Sequence, residues 1–381
     1  MKILVLHNQL WTQYKSVIFQ GIYDEFKDTT DEILVLQTAI CERSRLNILD
    51  FDLTSFNYSY PYVLLNKTSL EDANGFKTTV LWLKYIFQYK PDVINLTGYS
   101  ELGTIFVLGL AKLLGIKTLM TNESINSTRL HPKSIKQLTV NLYKQLLLKL
   151  TDGFLSYGIK SNDYIFRYGS KKSQIFSFLN AFDRSKFQKI NINSNRKSIP
   201  YILFVGRLSE EKNLGSLIDL ARVFKWDKFN CRIKIVGDGD EYQKISNLIQ
   251  LENLPIDLEG AKNWDQLGPI YKSALSFILP SYNETWGMVA NESLEMGIPV
   301  ICSTVCGCAD DLVIHEFNGL VLDNFNFDNH LKSINYTKIK EYLNSLIIGK
   351  SGQLINTRMS SIYDEERLIK EFISAFKHCL Q

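Results

Sequence analysis

The sequence predicts an α/β protein made of two doubly wound units of similar size. Short, nearly continuous apolar runs alternate with longer helix-period segments along the 381 residues. Strands that read as unbroken Val, Ile and Leu belong to parallel sheets covered on both faces. A polar stretch over 188–200, rich in Asn, Ser and Lys and closed by Pro200, interrupts the alternation, which then begins afresh. The length itself suits roughly two domains of ~150 residues each. The reading is a first Rossmann-like domain over 1–194 and a second over 195–381, with the last helix placed to pack back on the first.

The strands of the first half are Ile3–Leu6, Ile33–Leu36, Val93–Leu96, Thr118–Met120 and Gly153–Ser156, with helical patterns at Val80–Tyr89, Leu102–Leu114 and Ile135–Leu150. Pro91 and Gly115 stand just past two of these helices, where helix stops are expected. The second half repeats the scheme with Tyr201–Val205, Arg232–Val236, Phe277–Leu279, Val300–Cys302 and Leu320–Leu322. Ligands of such sheets sit at the carboxyl ends of the strands. Two facing sheets would therefore frame a cleft.

Composition excludes several classes. The chain is 45% hydrophobic and 22% charged, as in ordinary soluble globular proteins. No apolar run reaches the ~18–20 residues of a membrane span, and the start reads as a buried strand rather than a secretory signal. Six cysteines are too sparse for a disulfide scaffold, so a reducing, cytoplasmic setting is expected. Cys302, Cys306 and Cys308 lie near His315, but their C-x3-C-x-C spacing lacks zinc knuckles, and no metal is expected. The net charge of +3 hides an asymmetry: residues 1–190 hold 23 basic and 16 acidic side chains, the remainder 20 and 24. Residues 129–189 alone hold 12 basic and 3 acidic. Such a bias suits an anionic partner, or an ordinary solvated face.

Three segments carry chemistry. In FILPSYNETWGMVANESLEMGIP, residues 277–299, a strand runs into a loop and a helix, with Glu284 in the loop and Glu292 in the helix. Gly287 allows close approach to the backbone. The free amides near Gly287 and Met288 would cradle a phosphate, and the two carboxylates would accept from hydroxyls on either side of it. In YILFVGRLSEEKN, residues 201–213, Gly206 turns the chain at a strand end, and Arg207 and Lys212 supply counter-charge for a pyrophosphate. In IVGDG, residues 235–239, Gly237 and Asp238 follow another strand. The last is not a dinucleotide fingerprint, so no nicotinamide cofactor, and no cofactor of any kind, is expected.

In their order and spacing these segments resemble the GT-B glycosyltransferases, specifically glycosyltransferase family four, over roughly residues 200–323. The resemblance implies two Rossmann-like domains, a nucleotide-sugar donor and a retaining, metal-independent transfer. It implies that Arg207 and Lys212 hold the donor pyrophosphate, that Glu284 meets the donor sugar and Glu292 the ribose. It also implies that backbone groups of Thr285, Trp286, Gly287, Met288 and Val289 face sugar and phosphates. A common Gly-Gly appears here as Gly307-Cys308, with Asp311 where Glu is usual.

The first half matches more loosely. The family's Gly-Gly loop after the first strand reads HNQLWTQYK, so His7, Gln9 and Trp11 would line the acceptor side, with Tyr99. Where many members carry a His, this chain has Asn122, Glu123 and Ser124. Two readings of Glu123 stay open: a catalytic group that bonds or deprotonates an acceptor hydroxyl, and a structural carboxylate at a strand end. His131 is a weaker substitute. Gly158, Ser161 and Tyr164 follow the family's pattern. The implied acceptor is a saccharide or lipid-linked saccharide of cell-surface polysaccharide synthesis, and no nucleic acid partner is expected. Lys133, Lys136, Lys144 and Lys149 beside Leu138, Leu142, Leu146 and Leu147 suit either docking on the inner face of an anionic membrane or a core helix with charged flanks. Alternatives to a transferase are a GT-B nucleotide-sugar epimerase and a non-catalytic sugar-nucleotide-binding homologue.

Overall fold

Strand β1 (Lys2–Gln9) enters the core at once, with Ile3, Leu4 and Val5 wholly buried. In the computed structural model the described residues are 1–10, 14–43, 58–98, 103–126, 135–180, 199–327, 333–348 and 365–381. Their contacts divide the chain into two units, Met1–Phe182 with Asp364–Gln381, and Asp183–Tyr363. The expected boundary at 194/195 lies outside the described residues, and the last helix groups with the first unit.

In the first unit α1 (Lys15–Phe26), β2 (Glu32–Ala39), β3 (Tyr62–Leu64), α2 (Gly75–Tyr89) and β4 (Val93–Thr97) follow β1. Then come α3 (Thr104–Leu114), β5 (Lys117–Asn122), α4 (Ile135–Leu150), β6 (Gly153–Tyr157), α5 (Ile159–Arg167) and β7 (Ile175–Phe178). The sheet order is β3-β2-β1-β4-β5-β6-β7, with every pair parallel. The chain leaves β1 in both directions, and the order reverses between β1 and β4, the switch point of a doubly wound sheet. Helix α2 begins five residues before the apolar pattern does. Asn74 caps it, accepting from the Lys77 amide at 2.9 Å, which satisfies an amide that has no partner within the helix. Helix α3 stops at Gly115, whose φ is 70°.

One face of this sheet is covered by α2, α3, α4 and α5, through Trp82, Ile86, Val107, Leu108, Leu147 and Ile165. The other face carries α1 and the last helix, which pack on each other. An added Cβ on Gly21 would lie 2.1 Å from Ile369 Cδ1, so these two helices approach as closely as glycine allows.

The second unit runs β8 (Tyr201–Val205), a 3₁₀ turn (Glu210–Lys212), α6 (Leu214–Asp227), β9 (Arg232–Val236), α7 (Tyr242–Glu252) and β10 (Ile256–Leu258). It continues with α8 (Trp264–Ser273), β11 (Ser276–Leu279), α9 (Met288–Glu295), β12 (Val300–Ser303), α10 (Ala309–Leu312), β13 (Gly319–Leu322) and α11 (Ile334–Ile348). The chain's last helix is α12 (Glu365–Leu380). The sheet order is β10-β9-β8-β11-β12-β13, again all parallel, with its switch point between β8 and β11. Ile202, Phe204, Ile233, Ile278 and Ile301 form the middle of its core. Among the described residues no helix is long and apolar enough to cross a membrane.

Candidate functional site

The carboxyl ends of β8 and β11 meet at the switch point of the second unit. Past β8 the chain turns at Gly206, whose amide donates to Val236 O at 3.1 Å, while the Leu208 amide donates to Asp238 O at 2.9 Å. The Gly206 and Gly237 turns are thereby laid side by side. Asn213, held at φ 56°, then redirects the chain into α6, and its side-chain amide donates to Pro280 O at 3.0 Å. The Tyr282 amide donates to Glu211 O at 2.9 Å. The segment after β8 is therefore stitched to the loop after β11 by groups at both ends.

That stitching brings two predicted residues together. Lys212 Nζ lies 2.5 Å from Glu284 Oε2, with the side chains 17% and 12% exposed. Arg207 stands nearer solvent, 48% exposed, 3.6 Å from Glu211. Asp238 is exposed and accepts from the Gly239 amide at 2.8 Å.

Beyond Glu284 the backbone sets the geometry. Gly287 takes φ 95° at the N-terminus of α9, a conformation that suits glycine. The first helical amides, those of Met288 and Val289, have no partner within a helix, and both residues are half-buried. Gly307 presses on this loop from the other side. Its amide donates to Glu284 O and the Cys308 amide to Trp286 O, both at 2.9 Å. An added Cβ on Gly307 would lie 1.9 Å from Thr285 O, so glycine is required by contact rather than by φ.

Two of the expected donor-side residues have buried, anchored side chains. Glu292 is 2% exposed, and its Oε2 accepts from the Tyr271 hydroxyl at 2.9 Å. The Trp286 ring is equally buried and donates from Nε1 to Asn291 Oδ1 at 2.8 Å. At Trp286 the backbone, not the ring, is what the loop offers. Thr285 is exposed. Cys302, Cys306 and Cys308 are wholly buried, and burial pushes the Cys306 thiol well up. His315 is bound to the Val321 amide. Among the described residues no group of three or more His, Cys, Asp and Glu could hold a metal. Asp311 is half-buried in α10.

In the first unit the acceptor-side candidates divide. His7 is buried rather than lining an open surface: its Nδ1 lies 2.9 Å from Gln37 Oε1, and its ring meets Phe19 edge-on. Burial pushes its pKa down to about 4. Asn122 is 1% exposed, donating to Ser161 Oγ at 2.6 Å, and so joins β5 to α5 instead of facing an acceptor. Gln9 is half-buried and accepts from the Glu42 amide. Ser124 is half-buried, with its carbonyl accepting from Asn122. Gly158 takes φ 79° before α5, and Tyr164 lies buried on that helix. Trp11, Tyr99, His131 and Lys133, and the side chains of Lys136 and Leu138, lie outside the described residues.

Glu123 has a partner that sequence reasoning missed. Lys15 Nζ lies 2.5 Å from Glu123 Oε1, 3.2 Å from Asn180 Oδ1, and 3.6 Å from the centre of the Tyr157 ring. Burial alone would lower the Lys15 pKa, but Glu123 and Tyr157 outweigh it and the pKa is raised. A signal existed. Lysine at the first position of α1 opposes the helix dipole, so it needs an acidic partner elsewhere.

Residues 184–345 match the sequence model of the family described as Glycosyl transferases group 1. The chain carries a domain of the group 1 glycosyl transferases. An uncharacterized glycosyltransferase of Methanocaldococcus jannaschii is 34% identical over 163 residues, 42% of this chain and 43% of that protein. The GDP-mannose-dependent alpha-mannosyltransferase of Mycolicibacterium smegmatis is 32% identical over 129 residues, 34% of this chain and 32% of its own length. These matches span less than half the length of the curated relatives. Solved structures extend the likeness to the first unit. Anabaena HepE in complex with UDP superimposes with a TM-score of 0.72 at 15% identity, covering 99% of this chain and 100% of that one. Sucrose-phosphate synthase from Thermosynechococcus elongatus gives 0.75 at 17% identity, covering 99% and 98%. The group 1 glycosyl transferase domain of this chain thus stands in a GT-B fold of two Rossmann-like units.

Proposed function

We propose that this chain is a retaining glycosyltransferase that moves a sugar from a nucleoside-diphosphate sugar to a hydroxyl of a saccharide or lipid-linked saccharide. The observation that carries the reading is the Lys212–Glu284 pair beside the N-terminus of α9 at the switch point. A lysine, a carboxylate and helix amides within one loop cluster match the parts of a sugar diphosphate in order. The amides and Lys212 face phosphate oxygens, Arg207 adds a planar cation at the rim, and Glu284 accepts from sugar hydroxyls. Glu292, anchored by Tyr271, takes the ribose end of the same row. The complexes of Anabaena HepE with UDP-glucose support a nucleotide-sugar donor.

In the reaction, the bond from the anomeric carbon to the diphosphate oxygen breaks and negative charge grows on the leaving group. Lys212, Arg207 and the α9 amides stabilise that charge where it develops, which is the work a divalent metal would otherwise do. The acceptor oxygen bonds the anomeric carbon on the face the diphosphate leaves, and its proton passes to the departing phosphate oxygen. Retention of configuration follows.

A panel of nucleotide sugars, incubated with and without EDTA and followed by mass spectrometry, tests the reading. Release of a nucleoside diphosphate, indifferent to EDTA and lowered at least about 100-fold in Glu284→Ala, is the expected result. Release abolished by EDTA would overturn the metal-free step, and tight donor binding with no release would favour a non-catalytic homologue.

A further inference from the structure

Helices α2, α3 and α4 cover one face of the first sheet side by side, α2 packing on α3 and α3 on α4. Across their 42 residues they contain six lysines and no Asp or Glu. Every other α-helix described contains at least one acidic residue. Chance clustering of charge is an incomplete account, because the outward face of the same helices is also apolar. Phe76 is 81% exposed, Phe106 63% and Leu113 86%, and Phe87, Leu142 and Leu146 are half or more exposed.

The helical period puts these residues opposite the buried stripe. In α2, Thr78, Trp82 and Ile86 face the sheet, whereas Phe76 and Phe87 project on the far side, flanked by exposed Lys77 and Lys84. In α3, Val107, Leu108 and Ala111 face the sheet, and Phe106 and Leu113 share the opposite stripe. In α4, Leu147 and Leu148 are buried, while Leu142, Leu146 and Lys149 point outward. A helix that is apolar all round belongs in a core or against lipid, and α3, apolar around its girth but for Thr104 and Lys112, lies at a surface. Lys112 is already paired with Asp152 at 2.5 Å.

We infer that the outer face of α2, α3 and α4 docks on the surface of a bilayer containing anionic lipids. Exposed aromatic and aliphatic side chains enter the headgroup boundary, and the exposed Lys77, Lys84 and Lys149 meet the negative surface. A soluble polyanion would account for the lysines but would leave Phe76, Phe106 and Leu113 in water, so the bilayer is the occupant that uses both. The inference stands on this face alone and holds whether or not the transfer reaction does.

The full chain would be sedimented with vesicles of phosphatidylcholine alone and of phosphatidylcholine with about one third phosphatidylglycerol. Expected are at least about tenfold tighter binding to the anionic vesicles and its loss in high salt. Phe106→Ser with Leu113→Ser should weaken binding about tenfold, and Lys77→Glu with Lys84→Glu about 100-fold, with thermal unfolding unchanged. Equal binding to both vesicles, or none, would overturn the inference. Unchanged vesicle binding by the Phe106→Ser, Leu113→Ser variant would reduce the face to a polyanion site. Concentration-dependent dimers abolished by that variant would assign it to a second copy of the chain.

Discussion

The two units share one architecture and treat the carboxyl ends of their central strands in opposite ways. In the second, the strand ends open onto Gly206, Gly237, Gly287 and Gly307, and backbone contacts shape the space between them. In the first, the corresponding rim is filled by side chains: His7 on Gln37, Asn122 on Ser161, and Lys15 between Glu123, Asn180 and Tyr157. A rim made of backbone presents amides to a ligand that varies little, such as a diphosphate. A rim made of side chains can change from one homologue to the next without disturbing the sheet beneath.

If backbone approach governs the second unit, Gly307→Ala should be the most damaging of the changes considered next. A Cβ 1.9 Å from Thr285 O forces two loops apart, and unfolding stability should fall by about 4 kcal/mol, or the variant should fail to accumulate. A urea midpoint equal to the parent's would break the comparison. Next, Lys212→Ala should lower transfer about 100-fold, roughly 3 kcal/mol at the transition state, with little change in melting temperature. A loss of folding instead would make Lys212 structural, like Lys15.

The first unit's side-chain rim is tested by pH. His7 titrates near 4 when folded and near 6.5 when unfolded. The unfolded chain therefore binds the extra proton, and stability falls as pH drops through that interval. Between about pH 7 and pH 5 the loss should be about 2 kcal/mol, read from urea midpoints. His7→Gln should flatten that slope, and an unchanged slope would assign it to other groups. The smallest effect concerns neither rim. Asn74→Ala removes the α2 cap and should cost about 1 kcal/mol, a baseline against which the others are judged.

Much of this was legible in the sequence, for reasons that differ by element. The inner strands were visible because burial on both faces leaves unbroken apolar runs, as in Ile202, Leu203 and Phe204. The strands β3, β7 and β10 were not, because each is three or four residues long and only partly buried. The Lys212–Glu284 pair could be anticipated because both residues sit in strand-end turns whose spacing dictates their position. Lys15 and Glu123 are far apart in the chain, and only the folded sheet brings them together. The anchoring of Glu292 by Tyr271 and of the Trp286 ring by Asn291 was not legible, since nothing local reveals those partners. The acid-free layer spans three separate helices, so a count over residues 129–189 caught one part of it.

The ion pair between Lys212 and Glu284 has a kinetic consequence. With Lys212 matched by Glu284 and Arg207 lying 3.6 Å from Glu211, the resting loop projects little net field into solvent. Donor association should then respond only weakly to ionic strength. In the proposed reaction an arriving diphosphate would take over the lysine and release Glu284 to the sugar, so the carboxylate would become available only when there is a sugar to hold.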